Sequence, residues 1–214
     1  PRISSAELTW KQIAEDKVEI KTTQRYNYLS GSILVTSLYT VYGDGTIDLK
    51  QTYLPEGDLP ELPRLGSAWV ADKSLVNFTW YGYGPFENYP DRLSASKIGL
   101  WKSTVDKQYV HYPRPQDSGN KESVVELSLT DQKGAGVKVI TLGKPFSASA
   151  LPYSANDLYK ASHDCDLQPR EAVFLNLDAA VLGLGNSSCG PGVLKKYSIP
   201  KKEHTLHVRF SPCK

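Results

Sequence analysis

Residues 33–53 read Ile33-Leu34-Val35-Thr36-Ser37-Leu38-Tyr39-Thr40-Val41-Tyr42-Gly43-Asp44-Gly45-Thr46-Ile47-Asp48-Leu49-Lys50-Gln51-Thr52-Tyr53. The first nine residues alternate, and both alternating sets are β-formers, which predicts a strand rather than a helix. Gly43-Asp44-Gly45 supplies the residues that tolerate positive φ in a tight hairpin, so Thr46–Tyr53 reads as the returning strand. This hairpin sets the expected class: an all-β, antiparallel sandwich.

Working outward, the same alternation marks strands at Gly66–Ala71, Val76–Tyr83, Ser123–Thr130, Val137–Leu142, Ser147–Leu151, Ala172–Leu177, Ala180–Leu184 and Thr205–Phe210. Gly, Pro and Asp punctuate them, and no helices alternate with them, which argues against a doubly wound or barrel α/β fold. Three prolines and three acids make Leu54–Pro63 a loop. Two segments carry helix-start spacing. Ser4 and Glu7 form a capping-box pattern before Ala6, Trp10, Ile13 and Ala14, which predicts a short N-terminal helix; Ser154 and Asp157 repeat the pattern before a short helical turn.

The 214 residues carry 25 Lys+Arg against 23 Asp+Glu, a net charge of +2, which offers no electrostatic case for nucleic acid. No apolar run approaches the ~18 residues of a membrane-spanning helix. Three cysteines (Cys165, Cys189, Cys213) cannot all pair with one another, and the composition fits cytoplasm and periplasm alike. The sequence contains no Met and begins with Pro1. It is therefore expected to be one domain, residues 1–214, from a longer protein, N-terminally incomplete.

Gly185-Asn186-Ser187-Ser188-Cys189 has the outline of a nucleophile elbow, but Cys stands at the fifth position and no helix follows. His204 and His207 fall on opposite faces of a strand, and the crowded His163-Asp164-Cys165-Asp166 needs a purpose-built turn to converge, so no metal site is expected. Glu87 and Asp91 are the paired carboxylates to weigh for sugar hydrolysis. They sit in Trp80-Tyr81-Gly82-Tyr83-Gly84-Pro85-Phe86-Glu87-Asn88-Tyr89-Pro90-Asp91-Arg92, whose mixture of rings, Gly, Pro and charge suits a rigid loop with acids bound to backbone amides or to Arg92.

Gly84-Pro85-Phe86-Glu87-Asn88-Tyr89-Pro90-Asp91-Arg92 resembles the Gly-Pro-x-Glu-Asn-Tyr-x-Asp-Arg signature of the large bacterial β-galactosidases, glycoside hydrolase family 2. Tyr42-Gly43-Asp44-Gly45 upstream is similar to the family's turn before that motif. Ser162-His163, Leu175-Asn176-Leu177-Asp178, Gly183-Leu184-Gly185 and Pro191 follow in the family's order.

The resemblance implies the family's C-terminal supersandwich domain, related to galactose mutarotases, packed against a TIM barrel of the same chain. That barrel would carry both catalytic glutamates and the Mg ion, with Na as a further candidate. It implies retaining hydrolysis of terminal β-galactosides by a full-length homo-oligomer, and no catalytic residue in this segment. Glu87, Asn88, Tyr89, Asp91 and Arg92 would be its structural signature. Aligning the 185–191 loop on the family puts Cys189 where some relatives carry a Trp that stacks on the sugar. Cys189, with Asn186 and Ser188, is then the candidate substrate contact; an ordinary loop or core cysteine is the other reading, since a thiol offers far less apolar contact than an indole. Two rival functions stay beside this one. A free-standing sugar-binding module would use the 13 Tyr and 4 Trp as stacking platforms. A mutarotase-like epimerase would need a His and a carboxylate converging on the sugar ring.

Overall fold

A computed structural model describes residues 2–186 and 189–213. Its strands are β1 (Arg2–Ala14), β2 (Lys17–Asn27), β3 (Gly31–Tyr42), β4 (Ile47–Gly57), β5 (Arg64–Asp72), β6 (Asn77–Gly84), β7 (Lys97–Thr104), β8 (Lys121–Val124), β9 (Glu126–Thr130), β10 (Gly136–Thr141), β11 (Phe146–Leu151), β12 (Ala172–Val181) and β13 (His204–Cys213). They form two antiparallel sheets. A nine-stranded sheet runs β1-β2-β3-β4-β13-β10-β9-β6-β7, and a four-stranded sheet runs β5-β12-β11-β8. The all-β sandwich is as expected.

The expected N-terminal helix is not there. Residues 2–14 form the edge strand β1, turned back onto β2 at Glu15-Asp16. An isolated helix this short is marginal in water. Ala6, Leu8 and Trp10 also alternate, and β2 offers eleven residues of matching pattern to pair with. Ser4, read as a helix cap, is instead the extra residue of a bulge between the Ile3 and Ser5 pairings. The second capping pattern does cap a helix, α1 (Ala155–Lys160): Ser154 Oγ accepts from Asp157 N at 3.2 Å and Asp157 Oδ2 accepts from Ser154 N at 3.0 Å.

One face of each sheet builds the core. Paired residues across an antiparallel sheet share a face, so the row Leu49–Val208 and the row Phe210–Val139–Leu127–Trp80 both point inward. Most of these are almost fully buried, together with Phe78, Leu129 and Leu206. Leu65, Val173, Leu175, Leu177, Ala148 and Ala150 meet them from the smaller sheet.

Four strands cannot cover nine. Along the inner-face row Leu49–Tyr39–Ile20–Trp10, exposure climbs from 0% at Leu49 to 69% at Trp10. Leu8 and Ile3 lie on the same bare face. The opposite face of this ribbon carries its charges, including the Lys11–Glu19 pair at 2.8 Å and the Arg25–Glu56 pair. The ribbon is thus amphipathic with its apolar side uncovered.

The smaller sheet also buries its second face. Behind β11 and β12 lie Ser147, Ser149 and Asp178, all buried. The segments 85–96 and 105–120 and α1 close over this polar layer, with a small core of Tyr109, Leu151, Leu158, Ala161 and Leu167 at one end.

Candidate functional site

The aromatic–Gly–Pro loop leaves the end of β6 and runs over the polar layer. Its start is fixed by Trp80, whose indole donates to Tyr83 O at 2.9 Å; the Gly84–Pro85 bond that follows is cis. Glu87 then accepts from the Tyr112 hydroxyl and, at 2.8 Å, from Gly119 N. Asn88, wholly buried, donates to Phe86 O at 2.9 Å and accepts from Glu122 N at 2.7 Å. Its backbone pairs with Asn120: Asn88 N donates to Asn120 O, and Asn120 Nδ2 donates to Asn88 O, each at 2.9 Å. Tyr89 is buried too, and its hydroxyl has no partner among the described residues.

Asp91 and Arg92 reach across 93 residues of sequence. Asp91 Oδ1 accepts from Leu184 N at 3.0 Å and Oδ2 from Gly185 N at 2.8 Å, while Arg92 Nη2 donates to Gly185 O at 3.0 Å. The segment beyond β12 is therefore held by both members of the Asp91-Arg92 step. Gly183 must be glycine here, because a Cβ would sit 2.8 Å from Asp91 Cγ. Gly185 takes φ +60°, the left-handed region that glycine adopts without strain. From this foot the chain turns out into the loop with Cys189: Asn186 N donates to Pro191 O and Cys189 N donates to Asn186 O, each at 3.0 Å. Asn186 and Cys189 are both exposed, and Ser188 lies outside the described residues.

Beneath the loop is a charged cluster that sequence reading missed. Arg64 donates to Asp117 Oδ2 at 2.8 Å and stands 3.8 Å from Asp178 Oδ2. Asp178 is 1% exposed, and its Oδ2 has no hydrogen-bond donor among the described residues. Burial pushes its carboxyl up to about 7; Arg64 opposes that shift, whereas Asp117 and Glu122 reinforce it. Lys121, equally buried, is pulled down to about 8 by desolvation. Its ammonium lies 5.0 Å from the centroid of the Trp80 ring and donates to Gly119 O at 3.0 Å. The polar run Pro115-Gln116-Asp117-Ser118-Gly119-Asn120 was the available hint, since such a run flags a structured turn.

Asp178 gives a pH prediction with a definite sign. The unfolded chain releases this proton near pH 4, while the folded chain holds it to about pH 7. Between those values the folded state binds more protons, so stability falls as pH rises and levels off above pH 7. Asp178→Asn removes that penalty. Its unfolding free energy relative to the parent should rise by about 3–4 kcal/mol between pH 4 and 7, at about 1.4 kcal/mol per pKa unit. Urea melts across that range test this; parallel pH profiles for the two proteins would refute it.

The histidines do not converge. His204 Nε2 sits 2.8 Å from Pro200 O. His111 Nδ1 is 2.7 Å from Asp164 Oδ2, in an exposed pair. Among the described residues no three His, Cys, Asp or Glu side chains gather as metal ligands.

The architecture is thus an antiparallel sandwich whose signature loop clamps a second, Gly-rich loop at the sheet end. Residues 2–211 match the family described as "Beta galactosidase small chain". Beta-galactosidase BgaC of Bifidobacterium adolescentis is 37% identical over 171 residues, covering 78% of this chain and 16% of its own. The beta-galactosidase of Priestia megaterium is 34% identical over 147 residues, covering 69% and 14%. A solved structure, a GalM/aldose epimerase homologue from C. elegans, aligns with 96% of this chain and 68% of its own, at TM-score 0.44 and 10% identity. The chain belongs to the β-galactosidase small-chain family. It spans 14–20% of the length of the curated relatives named by this comparison, which come from bacteria.

Proposed function

We propose that this chain is the C-terminal sandwich portion of a bacterial β-galactosidase, and that it borders an active site supplied by a TIM barrel elsewhere in the same longer chain. The observation that carries the reading is membership of the small-chain family by a segment of at most 20% of its relatives' length. The full protein would hydrolyse terminal β-galactosides with retention, using two carboxyl groups about 5–5.5 Å apart. The acids weighed for that role here are already engaged: Glu87 by Tyr112 and Gly119, Asp91 by two backbone amides. In this reading the catalytic pair, the Mg ion and any Na ion belong to the barrel, as the family resemblance implies.

This chain's own contribution is to hold the 185–191 loop so that Cys189 and Asn186 face the bound sugar. The bare inner face of β1 and β2 supports the longer chain as well, since strands preceding β1 would extend the smaller sheet over it. Homo-oligomeric assembly belongs to that full-length protein.

The test uses the full-length protein with Cys165 and Cys213 replaced by Ser. A saturating galactoside should slow alkylation of Cys189, and Cys189→Ala should change KM more than melting temperature. The 214-residue chain alone should turn over no chromogenic β-galactoside. Alkylation indifferent to substrate, or turnover by the isolated chain that is lost with Glu87→Gln, would overturn the reading.

A further inference from the structure

We infer that the cleft between the signature loop and the 112–117 segment is a saccharide-binding subsite in its own right, independent of any barrel. It is bordered by Arg92, Tyr112, Gln116, Asp117, Leu184 and Gly185, and its volume is about 470 Å³. That lies within the ~300–1,000 Å³ usual for small-molecule sites.

The argument rests on how its polar groups are held. Arg92 is pinned through Nη2 to Gly185 O, and no other hydrogen bond of its guanidinium forms among the described residues. Asp117 is pinned through Oδ2 by Arg64 from behind, and Oδ1 accepts no hydrogen bond among those residues. Tyr112 is pinned by its hydroxyl to Glu87, which leaves its ring as a wall. Gln116 is exposed and makes no side-chain hydrogen bond there, so both its donor and its acceptor are available. Each pinned side chain is thus fixed by the protein on one side and keeps a free edge. Such preorganisation lowers the ordering cost of binding.

The charge pattern selects the ligand. A carboxylate on the wall disfavours an anion, and a guanidinium disfavours a cation. A neutral molecule with adjacent hydroxyls satisfies both, because each hydroxyl donates to Asp117 and accepts from Arg92 or Gln116. The Tyr112 ring and Leu184 offer the apolar surface that the C–H face of a pyranose covers. The site therefore fits a sugar unit, seated at the foot of the loop that carries Cys189.

The test is an amide chemical-shift titration of the 214-residue chain with D-galactose, lactose and inorganic phosphate. Saturable shifts centred on Gly185, Gln116 and Asp117 are expected for a sugar, with Kd of about 1–10 mM. Gln116→Ala and Asp117→Asn should each weaken binding about tenfold or more while the remaining spectrum stays in place. Asp117→Asn also loosens Arg64, so Gln116→Ala, an exposed substitution, is the variant that isolates the cleft. No saturable shift with either sugar, shifts mapping elsewhere, or equal binding by Gln116→Ala would overturn the proposal. Phosphate binding in place of sugar would show an anion site instead. These readouts involve no hydrolysis, so their failure leaves the β-galactosidase reading standing, and failure of that reading leaves them intact.

Discussion

Asp91→Ala should lower the melting temperature of this chain by about 6–12 °C and speed alkylation of Cys189. The carboxylate accepts two backbone N–H bonds, from Leu184 at 3.0 Å and Gly185 at 2.8 Å. Charge-assisted bonds of this kind contribute about 1.5–3 kcal/mol each, and an amide left without a partner carries its desolvation cost. A net loss of about 3 kcal/mol corresponds to about 2–4 °C per kcal/mol for a chain of this length. The effect on Cys189 follows from connectivity, because the same two amides anchor the foot of its loop. Arg92→Ala should cost less, about 1 kcal/mol, since that side chain is exposed and, among the described residues, donates a single bond, to Gly185 O. Thermal melts and thiol-labelling rates of the two variants provide the check. An Asp91→Ala protein that melts with the parent would show that the loop is held by something else.

Gly66→Ala should be more damaging than its size suggests. A Cβ at that position would lie 2.1 Å from Asp178 Oδ1 and 2.4 Å from Leu177 O. The carboxylate could swing aside, although it is buried and has little room. The carbonyl belongs to the backbone of β12 and cannot move without separating β5 from β12, where Gly66 pairs with Asp178. Overpacking of this kind costs about 1–3 kcal/mol, and more when backbone must shift; the upper end, about 3 kcal/mol, is expected. At pH 4, where folded Asp178 is protonated and its burial carries little penalty, Asp178→Asn leaves the clash in place, so the double variant should melt close to Gly66→Ala alone. A Gly66→Ala protein within about 2 °C of the parent would refute the account.

Hairpins and strands with clear alternation were legible in the sequence, as β3 and β4 show. Failures came where two patterns coexist or where neither is clear. Residues 2–14 carry both helical and alternating apolar spacing, and the partner strand decided between them. Lys97–Thr104 shows no clean alternation, because both of its sides mix apolar and polar residues: Ile98 and Leu100 share the exposed side with Lys102, and Trp101 shares the other with Gly99 and Ser103. One expected strand divides at Val125 into β8 and β9, two residues after Ser123, which takes φ 54° within β8. In the other direction, two expected strands join into β12 through an irregularity between Asp178 and Ala180.

For the site, the sequence located a loop dense in hydrogen-bonding groups at Glu87–Arg92. It could not say which amides those groups serve, because Gly119, Leu184 and Gly185 lie 32 to 94 residues away. The cluster of Arg64, Asp117 and Asp178 was invisible for the same reason: Asp178 stood out only as part of the Leu175–Asp178 run, and Arg64 and Asp117 are ordinary charged residues until the sheets bring them together.

The bare ribbon of β1 and β2 has a consequence for how this segment behaves in the cell and in the tube. β1 is the outermost strand of its sheet, so it presents unpaired backbone groups along one edge as well as Leu8 and Trp10 on one face. An unprotected edge of this kind is a template for strand addition. The charges that ordinarily guard such strands, Lys11 and Glu19 among them, point to the other face and leave the apolar side unguarded. Made alone, the segment is inclined to stack with its own copies. Made as the tail of a longer chain, it emerges from the ribosome after the residues proposed to cover it, so its shelter is already synthesised when the sticky ribbon appears.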